Sequence, residues 1–155
     1  METIVASKIK VENAEPDERR DEKYVIRLCN EILDQEAQPQ YKFDFLRGDT
    51  GRKLPVDAYY EKFNLVVEYC ERQHTESVPF FDHKMTCSGV SRAKQRAKYD
   101  QLRKDLLPQN GIKLVTISYS DFDYDSSKRI KRNPEHDKAV IKQKLVEKKV
   151  LKGNN

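Results

Sequence analysis

The hydrophobic residues of this chain follow a helical spacing first and a strand spacing afterwards. A stripe at positions three and four apart predicts a helix from about Pro16 to Gln35, and Pro16 suits its first turn. Acidic residues near the start also favour the positive end of a helix. The stripe consists of Val25, Leu28, Cys29, Ile32 and Leu33.

Three strands are predicted after this helix, because apolar and aromatic residues now alternate or run together over short segments. The segments are Tyr41 to Leu46, Leu54 to Tyr60 and Leu65 to Cys70. Gly48 to Gly51 mark a turn between the first two. A turn at Phe63 and Asn64 would join the last two as a hairpin.

A second helix is predicted from about Ser88 to Leu107, where Pro108 and Gly111 should stop it. Ile112 to Ser118 then predicts a fourth strand. The resulting order is αβββαβ, which is an α/β fold.

The two ends of the chain carry weaker patterns. Residues 1–15 mix polar and charged side chains without periodicity and predict a flexible N-terminal arm, whereas residues 16–125 hold the α/β domain. Residues 126–155 predict a basic loop and a lysine-rich helix from Asp137 to about Leu151. The apolar side of this helix is irregular, so it fits docking on the sheet, contact with a partner or contact with phosphates.

Glu68 lies inside the apolar strand segment Leu65 to Cys70. Strand alternation places it on the same face as Val66, a face that an α/β fold buries. Asp57, 11 residues upstream, would lie beside Glu68 in the hairpin. Two such carboxylates repel each other unless a positive charge lies between them, and Mg²⁺ is a suitable ion. The alternative is a pair of strand-end carboxylates that arginines neutralise.

Two short motifs resemble those of the PD-(D/E)XK nucleases. Pro55-x-Asp57 resembles the first, and Glu68-x-Cys70 resembles the second, with Cys70 where the family usually carries lysine. Glu68-Tyr69 followed by Gln73-His74 resembles a subgroup with Glu-Tyr-x-Gly-x-Gln-His, found among restriction endonuclease-like and very-short-patch-repair-like proteins. The resemblance covers roughly residues 20 to 120. It implies a restriction endonuclease-like αβββαβ core, here followed by a C-terminal basic helix.

The resemblance also implies roles for individual residues. Asp57, Glu68 and the main-chain carbonyl of Tyr69 would bind Mg²⁺, for which Mn²⁺ can substitute. Gln73 would take the place of the lysine and orient the attacking water or a phosphate oxygen. His74 would assist proton transfer, with an ordinary polar role at the strand end as its alternative. Cys70 is interpreted as a packing residue, because a thiol is a poor Mg²⁺ ligand.

In this fold an acid of the first helix sometimes completes the metal site, and Glu31 is the candidate. A surface ion pair with Arg27, one helical turn away, is the alternative.

The second predicted helix carries a basic face that resembles the Arg-x-x-Tyr-Asp-x-x-Arg/Lys helix of the same subgroup. The resemblance implies that its basic residues approach the scissile phosphate, and an ordinary solvated helix face is the alternative. The residues at helical spacing are Arg92, Arg96, Tyr99 and Arg103.

Charge and composition narrow the class of protein. The chain has 155 residues, 37% hydrophobic and 36% charged, which suits one domain with much solvated surface. Residues 1–83 carry 12 Lys and Arg against 18 Asp and Glu, and residues 84–155 carry 18 against 8, so the second half suits a polyanion. The three cysteines lack Cys-x-x-Cys spacing, which excludes a typical structural zinc site. No apolar run or leader pattern is visible, so we predict a cytoplasmic protein without a membrane partner.

The sequence therefore predicts a Mg²⁺-dependent endonuclease that cleaves phosphodiester bonds of nucleic acid, DNA before RNA. It would cut as a homodimer or as the cleavage subunit of a larger restriction, defence or repair complex. One alternative is a catalytically inactive nucleic-acid-binding module of the same fold, which Cys70 favours. A second is an unrelated α/β interaction protein.

Overall fold

The order of helices and strands matches the sequence pattern. The computed structural model describes residues 19–71 and 92–153, so the predicted arm at residues 1–15 lies outside them. Within these two ranges the chain forms a mixed α/β fold with three α-helices and one four-stranded sheet. The elements are α1 (Asp21–Leu33), β1 (Gln38–Arg47), β2 (Lys53–Tyr60), β3 (Leu65–Cys70), α2 (Arg92–Gln109), β4 (Lys113–Ser118) and α3 (Pro134–Glu147).

Several predicted helix boundaries were wrong by a few residues. Helix α1 begins at Asp21, and Arg20 precedes it in an extended conformation. Helix α2 continues past Leu107 to Gln109, because the fixed φ of Pro108 suits a helix and its missing N–H removes only one bond of the last turn. Helix α3 begins at Pro134, where the side chain of Asn133 caps it by accepting a hydrogen bond from the N–H of His136.

The sheet has the strand order β1-β2-β3-β4. Strands β1, β2 and β3 pair antiparallel, whereas β3 and β4 pair parallel from Leu65 opposite Lys113 to Cys70 opposite Ser118. A short 3₁₀ turn and the left-handed Asn64, with φ of 48°, join β2 to β3. The predicted hairpin is therefore confirmed.

Helices cover the sheet on both faces. Strand alternation sends Val67 to the face where α1 and α3 pack, and Val66 to the face where α2 packs. Ile141 and Leu145 of α3 are fully buried in the first of these cores. Of the three possibilities that the sequence left for the C-terminal helix, the structure therefore shows docking on the sheet and α1.

Gly48 fixes how closely α2 approaches the turn between β1 and β2. A Cβ atom at Gly48 would lie 2.7 Å from the hydroxyl oxygen of Tyr99. That hydroxyl accepts a hydrogen bond from the N–H of Asp49 at 3.1 Å, and Lys98 forms an ion pair with the Asp49 carboxylate. The turn and the helix are thus held together at the position where glycine has no side chain.

Candidate active site

Asp57 and Glu68 are locked together at one end of the β2–β3 hairpin. Oε2 of Glu68 accepts a hydrogen bond from the N–H of Asp57 at 2.6 Å, and Oδ2 of Asp57 accepts one from the N–H of Tyr69 at 2.8 Å. The backbone pairing of the hairpin runs only from Tyr60 opposite Leu65 to Ala58 opposite Val67. Beyond that point carboxylates replace carbonyls as the acceptors of the two amides, so each carboxylate is held by the other strand.

Arg103 of α2 is the cation that the structure places beside Glu68. Its Nε lies 3.7 Å from Oε1 of Glu68, and both side chains are 14% exposed. Its other nitrogens bind the carbonyl oxygen of Pro55 at 3.0 Å and the carboxylate of Asp100 at 3.2 Å. Within the described part of the chain its buried Nε has no hydrogen-bond partner. Arg103 therefore braces the hairpin from inside, which differs from the phosphate contact predicted for it.

The carboxyl group of Glu68 is held in an unfavourable setting for its charge. Burial and, after it, the negative charge of Asp57 raise its pKa to about 7, although the positive charge of Arg103 acts in the opposite direction. Burial and the neighbouring carboxylate thus outweigh Arg103, so the charged form of Glu68 is disfavoured.

Glu22 of α1 is the acid that the sequence interpretation missed. Burial raises the pKa of its carboxyl group to about 7, and the nearby charges of Asp57 and Glu71 act in the same direction. The sequence did carry a signal, because Glu22 lies three residues before Val25 and seven before Cys29, on the apolar stripe of the helix. A carboxylate on such a stripe needs an explanation, as Glu68 did.

Glu31, the acid that the sequence offered for the site, is paired with two cations. It forms ion pairs with Arg27 at 2.6 Å and with Lys138 of α3 at 2.5 Å. Burial alone would raise the pKa of Glu31, but the bonds to Lys138 and Arg27 outweigh it and lower the pKa. The structure thus brings Glu22, and not Glu31, into the electrostatic neighbourhood of Asp57.

Cys70 stands at the position of the family's lysine and is half-buried. Burial raises the pKa of its thiol to about 11, and the charges of Asp100 and Glu68 add to the effect. The raised pKa favours the protonated thiol at neutral pH in the metal-free protein, which is compatible with a packing role for Cys70. Gln73 and His74 lie outside the described residues.

The basic face of α2 divides into two parts. Arg92 is exposed and Arg96 half-buried, so both are placed at the surface of the helix. Tyr99 and Arg103 turn toward the sheet and hold the β1–β2 turn and the hairpin. The helical spacing was correct, and Arg92 and Arg96 are the members of the stripe that lie at the helix surface.

No group of three or more His, Cys, Asp or Glu side chains within residues 19–71 and 92–153 has the geometry of a metal site. The acids at the hairpin therefore supply fewer than three close ligands. Across the same ranges, no helix is long and apolar enough to cross a membrane.

Comparisons with known proteins give one partial similarity. No family model matches the chain, and no solved structure matches it significantly. The chain is similar to "Uncharacterized protein 094L" of Frog virus 3 (isolate Goorha), with 33% identity over 72 residues. The similar region is 46% of this chain and 44% of that protein, so the chain spans less than half of the relative's length.

The raised pKa values of Glu22 and Glu68 predict how stability depends on pH. The folded state binds protons at these carboxyls more tightly than the unfolded chain, so their contribution is complete below about pH 4.5 and is lost as the pH rises to about 7. We expect the melting temperature in the absence of divalent metal to fall across this range. Thermal melts of the protein at successive pH values measure it.

Two variants distinguish the titration of Glu68 from that of the other acidic residues. Glu68→Gln should flatten the pH dependence and stabilise the protein above pH 7 by about 1–3 kcal/mol, because it removes a buried charge beside Asp57. Glu31→Gln is the matched control, since the pKa of Glu31 is lowered and its ion pairs favour the charged form. An unaltered pH profile in Glu68→Gln would contradict the assignment.

Proposed function

We propose that this chain is a Mg²⁺-dependent nuclease with a restriction endonuclease-like core, cleaving DNA in preference to RNA. The observation that carries the proposal is the pair Asp57 and Glu68, each held by a backbone N–H of the opposite strand, with the pKa of Glu68 raised to about 7. The strand order and the parallel pairing of β3 with β4 support the same core.

The donor set fits Mg²⁺ better than a transition metal. Mg²⁺ keeps several of its waters and is usually bound through one or two carboxylates, so two acids at one strand end suffice. Asp57 and Glu68 would hold the ion together with the main-chain carbonyl of Tyr69. The raised pKa of the Cys70 thiol disfavours the thiolate, which is the form that binds soft metals.

A bound ion would lower the pKa of a water nucleophile and neutralise charge on the phosphate. The protein's own residues determine orientation and proton transfer. The two amide hydrogen bonds fix the carboxylates before substrate arrives, which avoids reorganisation during the reaction. Glu22, with a pKa of about 7 beside Asp57, suits a proton acceptor near neutral pH. Gln73 is proposed to orient the attacking water, and His74 is proposed to assist proton transfer.

Nucleic acid binding is proposed for the surface of α2 at Arg92 and Arg96, which continues the basic character of the second half of the chain. Arg103 contributes indirectly by holding Glu68. The chain is small for both cutting and reading a sequence, so we propose that it acts as a homodimer or with a larger protein partner.

A second candidate, a nucleic-acid-binding module without cleavage, is favoured by one observation. Arg103 already lies beside Glu68 and can act as the resident cation of the pair. In such a module the carboxylates and the arginine would be structural, and a divalent ion would not be needed.

A metal titration distinguishes these functions. We expect isothermal titration calorimetry to detect binding of Mn²⁺ or Mg²⁺ near neutral pH, and to detect none in Asp57→Ala, while nucleic acid binding persists in both proteins. The physical reason is that removing one of two carboxylates removes most of the attraction for the ion. Nucleic acid binding without metal binding would support the inactive module, and absence of both would support an unrelated interaction protein.

A further inference from the structure

A basic cleft lies at the end of β3, on the side of the sheet covered by α1. Its volume is about 390 Å³, and four cations line it: Arg19, Arg20, Lys128 and Arg129. This volume is in the range of pockets that take a nucleotide-sized ligand, roughly 300–1,000 Å³.

The described lining of the cleft holds two acids, Asp21 and Glu71, against its four cations. Asp21 is 6% exposed, and its carboxylate is shared by Arg129 at 3.3 Å, Arg132 at 3.2 Å and the N–H of Ile130 at 2.9 Å. One buried carboxylate therefore meets two guanidinium groups, and that of Arg129 belongs to the cleft lining. Glu71 is the other acid of the lining.

The loop that supplies half of the cations is ordered by its own hydrogen bonds. Oδ1 of Asp125 accepts bonds from the N–H groups of Ser127 at 2.8 Å and Arg129 at 3.0 Å, and these bonds lower the pKa of Asp125. The Nζ of Lys128 lies 5.4 Å from the ring centre of Tyr124. Arg129 also donates a bond to the carbonyl oxygen of Arg19. Little conformational freedom remains to be lost when an anion binds.

Some residues of the cleft lining also act on the acids of the candidate active site. Tyr69 lines the cleft with its side chain, and its N–H binds Asp57. Glu71 lines the cleft and acts electrostatically on Glu22, as does Arg20 with the opposite sign.

We propose that this cleft binds a backbone phosphate of a nucleic acid strand, next to the phosphodiester that reaches Asp57 and Glu68. The phosphate ligand follows from the four cations and from the N-terminus of α1, which begins at Asp21 in the lining. The choice of a nucleic acid strand as its source rests on the proposed function.

The test measures binding of a fluorescent DNA duplex to the full chain without divalent metal, so that no cleavage occurs. Arg20→Gln combined with Lys128→Gln should weaken binding at least ten-fold. It should also flatten the dependence of log affinity on log salt by about 1.8, because each duplex phosphate contact contributes about 0.9. Ser127→Glu, a separate exposed substitution in the cleft, should weaken binding in the same direction.

The control is Lys62→Gln combined with Lys148→Gln, which removes the same charge at the opposite end of the sheet. Lys62 lies in the turn of the hairpin, and Lys148 follows α3, next to Lys149, whose carbonyl oxygen binds Lys113 of β4. We expect less than a three-fold loss there. Equal losses in both double variants, or a loss confined to Arg92→Gln with Arg96→Gln, would overturn the assignment of the cleft.

The remaining outcomes separate this proposal from the nuclease proposal. Cleft-dependent DNA binding in a protein that binds no metal and cuts nothing supports the cleft and contradicts the nuclease. Cleavage that is unaffected by the cleft variants, with unchanged melting temperatures, overturns the cleft and leaves the nuclease. Cleft-dependent binding of inorganic phosphate by a protein that binds no duplex would overturn the assignment to a nucleic acid strand.

Discussion

Replacing Asp57 with asparagine or Glu68 with glutamine is expected to lower Mg²⁺-dependent DNA cleavage on the order of 10³-fold or more. Either change removes one of the two charged ligands proposed for the ion while keeping an oxygen that can accept the bond from the N–H of Tyr69 or of Asp57. The loss should therefore come from the metal and not from the hairpin. Nicking of a supercoiled plasmid, followed over time at saturating Mg²⁺, measures it.

Folding provides the control for this prediction. Both variants should melt at or above the wild-type temperature at pH 8, because the repulsion between Asp57 and Glu68 is relieved. Glu31→Gln should keep wild-type cleavage, since Glu31 is engaged with Arg27 and Lys138. Cleavage at the wild-type rate in both active-site variants would remove these residues from the site.

Tyr24→Phe is expected to destabilise the protein by about 2–4 kcal/mol, although it deletes a single oxygen atom. The Tyr24 hydroxyl donates a hydrogen bond to Oδ2 of Asp137, whose side chain is fully buried between α1 and α3. Without the hydroxyl, the carboxylate keeps the bond from the N–H of Asn133 at 3.0 Å. Its Oδ1 is buried without a hydrogen-bond partner within the described ranges, so the remaining charge is poorly compensated. Urea denaturation measures the loss.

Tyr59→Phe is the matched control, because Tyr59 is also buried but packs through its ring against Tyr41 and Phe43 in the other core. Tyr59→Phe should lower the free energy of unfolding by less than about 1 kcal/mol. In a double-mutant cycle, Tyr24→Phe combined with Asp137→Asn should lower the free energy of unfolding by less than the sum of the two single losses. The reason is that the double variant no longer contains a buried carboxylate that lacks the Tyr24 hydroxyl. Additive losses would show that the hydroxyl and the carboxylate are not coupled.

The surroundings of Glu68 show how far sequence reasoning reached at the site. An acid within an apolar strand required a compensating partner, and the hairpin placed Asp57 next to it, as expected from the turn at Phe63 and Asn64. The partners of Glu68 found in the structure are the N–H of Asp57 and the guanidinium group of Arg103. Nothing in the spacing of Arg103 distinguished an inward arginine from an exposed one, because its helical stripe contains both kinds.

Glu22 and Glu31 illustrate the same limit on one helix. Both are acids of α1; the resemblance offered Glu31 as a site acid with an ion pair to Arg27 as the alternative, and that ion pair is present. Which acid meets Asp57 depends on where the helix crosses the sheet, and that crossing is fixed by packing of α1 against β3 and α3. A local pattern contains no information about this crossing.

The sequence by itself determined the elements of this protein: the order αβββαβ, the hairpin turn, and the burial of Glu68, because hydrophobic period and turn chemistry are properties of neighbouring residues. Only the tertiary structure decided that α3 docks beside α1, that Asp137 meets Tyr24, and that residues 19–20 and 128–129 line one cleft. These contacts join residues about a hundred positions apart, and their energies depend on burial and on charges brought together by folding.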